Sequence, residues 1–211
     1  MRTIRKSREP ASLAQHRCAP HADFDNYADK DALRIALAAE QRGLCCYCLA
    51  RIRPETGAMK IEHWHSRHSF PAEQLDYQNL LGSCPGEEGR PPHQQHCDTK
   101  KGNARFSRNP ANPAHRIENF IRFVGDGRIV SGDRAFDAEL NEVLNLNAAV
   151  LKNNRKAVLD AFKSALAKRG DLRRITLERW LRDWNGESDP NELQPFCQVV
   201  VYWLRKRMAR V

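Results

Sequence analysis

The sequence predicts an α+β protein, mainly helical, with a cysteine- and histidine-rich centre, one helix before it and a helical region after it. Three observations carry this prediction. Leu33, Ala36, Leu37 and Glu40 recur at helical spacing, and so do apolar residues through the last third of the chain. Between Cys45 and Gly102 lie five of the seven cysteines and five of the eight histidines, among many glycines and prolines. Such a stretch buries little apolar surface, so it needs another source of cohesion. A chain of 211 residues holds one compact domain or two small ones. The expected division is a basic N-terminal arm at 1–30, a cysteine-rich domain at 31–110, and a hairpin plus helical region at 111–211.

In chain order, the arm reads as extended and weakly periodic, broken by Pro10 and Pro20. A helix follows from Asp31 to Arg42, with Gly43 where a C-terminal cap belongs. Leu49 to Ile61, centred on Pro54-Glu-Thr-Gly57, reads as a short hairpin. Asp98 to Phe106 reads as a short helix, and Glu118 to Ser131 as a second hairpin turning at Gly125-Asp-Gly127. Val150, Leu151, Val158, Leu159, Phe162 and Leu166 share one helical face that stops at Gly170. Thr176 can N-cap a helix carrying Leu177, Trp180, Leu181 and Trp184. Phe196, Val199, Val200, Trp203 and Leu204 line a last helix with a basic end, Arg205 to Arg210. These stripes read as core, and the basic end as a solvated helix terminus that suits the dipole.

Composition narrows the function. Hydrophobic residues make up 41% and charged residues 29%, which excludes general disorder. Thirty-five Lys and Arg against 26 Asp and Glu give a net charge of +9, which suits a polyanionic partner. No apolar run approaches the ~20 residues that cross a bilayer. The basic start lacks the apolar core of a secretory signal, so the expected location is the cytoplasm, without membrane attachment. There, cysteines serve as metal ligands or stay reduced rather than form a disulfide framework.

Cys45 and Cys48 form a C-x-x-C knuckle, whose turn lets two sulfurs converge on one tetrahedral Zn²⁺. Cys84 and Cys97 are the natural completing ligands. The 12 residues between them must loop out, or else His93 or His96 replaces a cysteine, and Cys46 is a bystander or a ligand itself. Cys18 and Cys197 read as plain reduced thiols. Within this frame stand Glu62 and His63 on a predicted strand, then Asn79, then Asp98 at a helix start. Phosphodiester cleavage needs a general base for water and a divalent cation for the leaving oxygen. A hard cation prefers carboxylate oxygens to thiolates, so two metals of different character are expected. Each residue alone has an ordinary reading, as surface or cap, and it is their order and company that point to a nuclease.

Cys45-x-x-Cys48, Ile61-Glu-His-Trp-His65, Leu75-Asp-Tyr-Gln-Asn79-Leu-Leu81 and Cys97-Asp-Thr-Lys-Lys101-Gly102 resemble the zinc-knuckle form of the HNH endonucleases. More narrowly, they resemble the HNH nuclease subunit of Septu and retron-type anti-phage systems, the PtuB family. Asn145-Leu-Asn147, Asn153-Asn-Arg155-Lys and the closing helix fit the same group. The resemblance covers most of 31–211, with its strong motifs at 45–102. It implies a zinc-knuckle ββα-metal (HNH) core and a phosphodiester endonuclease with structural Zn²⁺ and catalytic Mg²⁺ or Mn²⁺. His63 then matches the water-activating base, Glu62 a ligand of the catalytic ion, and Asn79 the residue that braces the loop orienting the histidine. Asp98 stands at the third motif position, usually His or Asn, and His96 is its alternative or companion. The implied partners are nucleic acid, DNA ahead of RNA, and an ABC/SMC-type (PtuA-like) ATPase.

Arg67, Lys100, Lys101, Arg105 and Arg108 flank the motifs and are candidate phosphate contacts. The competing reading is a non-catalytic zinc module that binds nucleic acid or protein. A zinc hydrolase of another class is disfavoured, because four thiolates leave the metal no open position.

Overall fold

The computed structural model describes residues 1–170, 173–189 and 191–210. The first departure from expectation is at the N-terminus, which is not extended. Ala11–Arg17 form a short helix, α1, and Ile4, Leu13, Phe24 and Tyr27 are buried in the main core. Lys6 explains part of the docking. Its ammonium lies 2.5 Å from Glu40 Oε1, donates to Leu80 O at 2.8 Å and sits 3.7 Å from the Tyr77 ring centre. A buried ammonium needs such partners, and Glu40 supplies the charge.

Helix α2 spans Lys30–Glu40, capped by the Asp29 side chain accepting from Ala32 N, and buries Leu33, Leu37 and Ala38. Arg42 and Gly43 both take the left-handed conformation, at φ 55° and 73°, and Gly43 N–H closes onto Ala38 O at 2.8 Å.

The hairpin expected over Leu49–Ile61 does not form. Leu44 and Arg51 make an isolated antiparallel bridge, and strand β1, Lys60–His63, pairs instead with β2, Leu80–Ser83. The register sets Glu62 opposite Leu81 and His63 opposite Leu80. All of β2 is buried, so its pairing is fixed by the core rather than by a local turn. Gly82 allows this packing: a Cβ there would lie 2.7 Å from Met59 Cε and 3.0 Å from Ile52 Cδ1.

Helix α3 covers only Cys97–Lys101, shorter than the predicted Asp98–Phe106, because Gly102 leaves the helical region at φ 50°. The later hairpin is present but minimal, β3 at Arg122–Phe123 against β4 at Ile129–Val130. Helix α4, Arg134–Ala138, is capped by Asp133 and runs into one π turn at Glu139–Val143.

The helical third follows the sequence pattern. Helix α5 spans Ala149–Arg169 and ends at left-handed Gly170; α6 spans Arg174–Asn185 and α7 Cys197–Met208. Thr176 lies inside the first turn of α6, whose N-cap is Arg173 rather than the predicted threonine. Phe196 sits at the N-cap of α7 with φ 57°. Phe162 on α5 meets Trp180, Trp184 and Trp203 edge-on at 5.3, 5.7 and 5.6 Å between centres, so the aromatic stripes are core as read. No helix among the described residues is long and apolar enough to cross a membrane.

Candidate functional site

The turn after α2, the end of β2 and the start of α3 bring Cys45, Cys48, Cys84 and Cys97 together. Their sulfurs all lie within 4.8 Å of one another, and all four residues are buried. Cys48 and Cys84 are 3.6 Å apart and Cys45 and Cys97 3.9 Å. A tetrahedral ion with metal–sulfur bonds near 2.3 Å would space its sulfurs about 3.8 Å apart, so the cluster fits a metal ion and its ligand type suits zinc. Burial opposes ionisation of Cys45, yet hydrogen bonds from Cys46, Cys48, Cys84 and Cys97 outweigh it and hold this thiol well below its ordinary range. Burial and the neighbouring thiols push Cys97 well above it. Buried thiols packed this closely oppose one another's ionisation, a conflict that a divalent cation resolves.

The long insert before Cys97 closes as a loop. His96 N–H donates to Gly86 O at 3.0 Å, Thr99 Oγ1 to Pro85 O at 2.7 Å, and Asn145 Nδ2 to the carbonyls of His93 and Gln95. Gly86 must be glycine, since a Cβ would stand 2.2 Å from His96 O. Arg155 of α5 is also buried beside the cluster. Its guanidinium donates to Gly127 O and Leu146 O, both at 2.6 Å. Burial lowers its pKa to about 10, against the opposing pull of Cys48 and Cys97.

Next to the cluster, a cleft of about 540 Å³ is lined by Asp25, Glu62, His63, Arg67, Gln74 and Asp98, among others. Glu62 is buried, and its Oε1 accepts from Tyr47 OH at 2.7 Å and from Lys101 Nζ at 2.8 Å. Burial, and then the nearby Asp98 carboxyl, raise the Glu62 pKa well above the usual carboxylate range; Lys101 opposes this. Carboxylate oxygens of this kind are the donors a hard divalent cation takes. Asp98 also lies 3.7 Å from Lys60 Nζ.

The His63 ring sits edge-on to Phe24 at 4.5 Å, and its Nε2 lies 3.0 Å from Gln74 O. A carbonyl only accepts, so Nε2 carries the proton and Nδ1 keeps its lone pair. Burial pushes the His63 pKa down to about 4, so the ring is neutral at pH 7. Asn79 is buried and ties both ends of the 64–79 loop. Its Oδ1 accepts from His65 N at 2.7 Å, while Nδ2 donates to His65 O at 3.0 Å and Glu73 O at 3.2 Å. Gln74, which holds His63, is the next residue along.

Some predicted site residues lie elsewhere. The His96 imidazole is on the cysteine side, with Nδ1 3.2 Å from Cys97 Sγ and 4.0 Å from Cys84 Sγ, not at the Glu62–Asp98 pair. Lys101 is no surface phosphate contact: its side chain is 0% exposed, between Glu62 and His63 O. Arg67 stands at the cleft, paired with Asp25 at 2.5 Å. Arg105 is exposed near the Phe70 ring, Lys100 is half-buried, and Arg108 pairs with Asp133 over the Phe120 ring. Sequence reasoning missed Tyr47, Phe24 and Gln74. Tyr47 lies inside the cysteine knuckle, where attention goes to the sulfurs, and Gln74 acts through a carbonyl that any residue has.

No family model matches the chain. The chain is similar to the Septu protein PtuB of Bacillus thuringiensis, 26% identical over 124 residues, which are 56% of this chain and 42% of that protein. It thus spans less than half the length of this curated relative.

Proposed function

We propose that the protein is a metal-dependent endonuclease of the HNH type, cleaving nucleic-acid phosphodiesters, DNA ahead of RNA. The observation that carries this reading is the single cleft lined by Glu62, His63 and Asp98. The antiparallel β1–β2 pair followed by α3 agrees with a ββα-metal core, and the cysteine cluster with a structural Zn²⁺ beneath it. Similarity to a Septu protein supports a role as nuclease effector in anti-phage defence, with an ABC/SMC-type (PtuA-like) ATPase as partner.

In this reading, His63 Nδ1 takes a proton from the attacking water while Gln74 O fixes the ring through Nε2. Asn79 is a positioning residue, acting through the loop that carries Gln74. Glu62 and Asp98 would hold Mg²⁺ or Mn²⁺, which neutralises the leaving oxygen when bound. Lys101 orients Glu62 and ties the end of β1 to α3. Arg67, Lys100 and Arg105 would meet phosphates around the cleft.

One observation favours the non-catalytic alternative: Lys101 already occupies Glu62 Oε1, at 2.8 Å, where a divalent ion would have to bind. The test is cleavage of supercoiled plasmid with Mg²⁺ or Mn²⁺, with and without the ATPase. Wild type should cut, and His63→Ala should lose roughly 10²- to 10⁴-fold in rate, the usual contribution of a general base. Equal behaviour of the two under every condition refutes the catalytic reading.

A further inference from the structure

Away from the cleft, two adjoining pockets of about 340 and 410 Å³ share Arg2, Thr3, Arg5 and Asn185, and neither shares a lining residue with the Glu62–His63 cleft. Their walls bring together Arg2, Arg5, Arg42, Arg116 and Arg205, from the N-terminal segment, the end of α2, the turn before Ile117 and the last turn of α7. None of the five has a carboxylate partner among the described residues. Arg2 donates to Asn185 Oδ1 and O at 3.1 and 3.0 Å, and Arg42 to Gly186 O at 2.8 Å and to Asp189 O, all of them neutral oxygens. Arg42 Nε is buried and unpaired. Arg5, Arg116 and Arg205 are exposed.

The carboxylates on these walls do little to offset that charge. Glu118 accepts from Thr3 N and Oγ1 at 2.7 and 2.6 Å, and Glu40 is taken by Lys6 and Tyr77. Among the described residues, the Glu187 carboxylate accepts only from Asn185 Nδ2, at 3.4 Å. Arginines elsewhere do find acids, as Arg17 finds Glu9, Arg34 finds Asp31 and Arg53 finds Glu192. Burial, and then the charge of Arg2, hold Arg42 below the usual guanidinium range, against the smaller opposing pull of Asp189 and Cys197.

We propose that this groove binds the phosphodiester backbone of a nucleic-acid strand, at a site separate from the cleft. Guanidinium forks match phosphate oxygens, and two joined pockets suit successive phosphates better than one small anion. No aromatic side chain lines either pocket, so there is no platform for a base, and the groove reads backbone without sequence. The inference extends the nuclease reading, yet it can stand or fall separately.

The test is fluorescence anisotropy with labelled duplex and single-stranded oligonucleotides over a salt series, without added divalent ion, in the His63→Ala background. The variant is Arg5→Gln/Arg116→Gln/Arg205→Gln, and unchanged circular dichroism verifies its fold. Losing three phosphate contacts should lower the slope of log K against log salt by about 2–3 and weaken low-salt binding roughly 10- to 100-fold. Unchanged affinity and slope overturn the proposal. So does displacement of the strand by equimolar inorganic phosphate or free nucleotide, which would mark a small-anion site, and so does nucleic-acid binding that ignores these arginines while an acidic protein partner requires them. If the triple variant loses binding although wild type never cuts, the groove stands and the nuclease reading falls.

Discussion

Lys101→Met tests the most consequential departure from the sequence reading. The ammonium lies 2.8 Å from Glu62 Oε1 and donates to His63 O at 3.0 Å, with side chains 0% and 2% exposed. Replacing it with methionine keeps the stem volume but leaves a buried carboxyl beside Asp98 without its cation. Breaking a buried pair from one side costs about 3–5 kcal/mol. At roughly 2–4 °C per kcal/mol for a domain of this size, Tm should fall by roughly 6–20 °C. A divalent ion at Glu62 and Asp98 would replace the missing charge, so millimolar Mg²⁺ or Mn²⁺ should raise Tm more in the variant than in wild type. Lys100→Met, half-buried and one residue away, is the control and should shift Tm little. Scanning calorimetry with and without metal reads both effects. A Lys101→Met protein that melts within about 2 °C of wild type, and differs only in the salt dependence of nucleic-acid binding, would restore Lys101 to the surface and refute the reasoning.

Metal analysis should find one tightly held zinc per chain, lost together with cooperative folding in Cys48→Ser or Cys84→Ser, whereas Cys46→Ser should keep the zinc; retention by all three would exclude the four-cysteine site. Asn79→Ala strands buried partners in the 64–79 loop at about 1–3 kcal/mol each. It should lower kcat more than KM in the plasmid assay, and an unchanged kcat would remove Asn79 from positioning His63. For Glu118, burial would raise the pKa, but the Thr3 hydrogen bonds win and hold it below its ordinary 4.5. Its stabilising effect is therefore present above pH 4.5 and lost as pH falls through the folded value. The Tm gap between wild type and Glu118→Gln should close in acid, and a gap that is constant with pH would contradict the assignment.

The parts of the fold legible in the sequence were those written in local periodicity. The α5, α6 and α7 stripes and the stop at Gly170 could be read directly, because a helix announces its buried face every third or fourth residue. Cys45 and Cys48 were equally legible from their knuckle spacing, whereas Cys84 and Cys97 were natural candidates with His93 and His96 left open, and only the fold brings the four sulfurs together. What escaped depends on distant partners. β1 pairs with β2 rather than with the nearer Leu49 segment, a choice made by the buried face of β2. Residues 1–30 read as an extended arm because they are weakly periodic and broken by Pro10 and Pro20, yet Lys6 pairs with Glu40 and Ile4, Leu13, Phe24 and Tyr27 join the core. Lys101 looked like a phosphate ligand for the same reason: a lysine's burial is decided by a carboxylate that the local sequence does not contain. Glu62, His63 and Asp98, singled out in the sequence by type and order, line one cleft, but the carbonyl of Gln74 beside them has no signature in the sequence.

Arg155 has a further consequence for how the molecule comes apart. It reaches from α5 to the β3–β4 turn and the loop before α5, buried without a carboxylate partner among the described residues, and the neighbouring Cys48 and Cys97 favour its charge. A zinc ion with four thiolates would carry a net charge of about −2, which would make cluster and guanidinium counterions between the cysteine-rich and helical regions. Withdrawing the metal then weakens the anchor of α5 as well as the knuckle. The chain should lose amide-exchange protection in α5 in step with the cysteine-rich region, as one cooperative unit rather than as two that melt in turn.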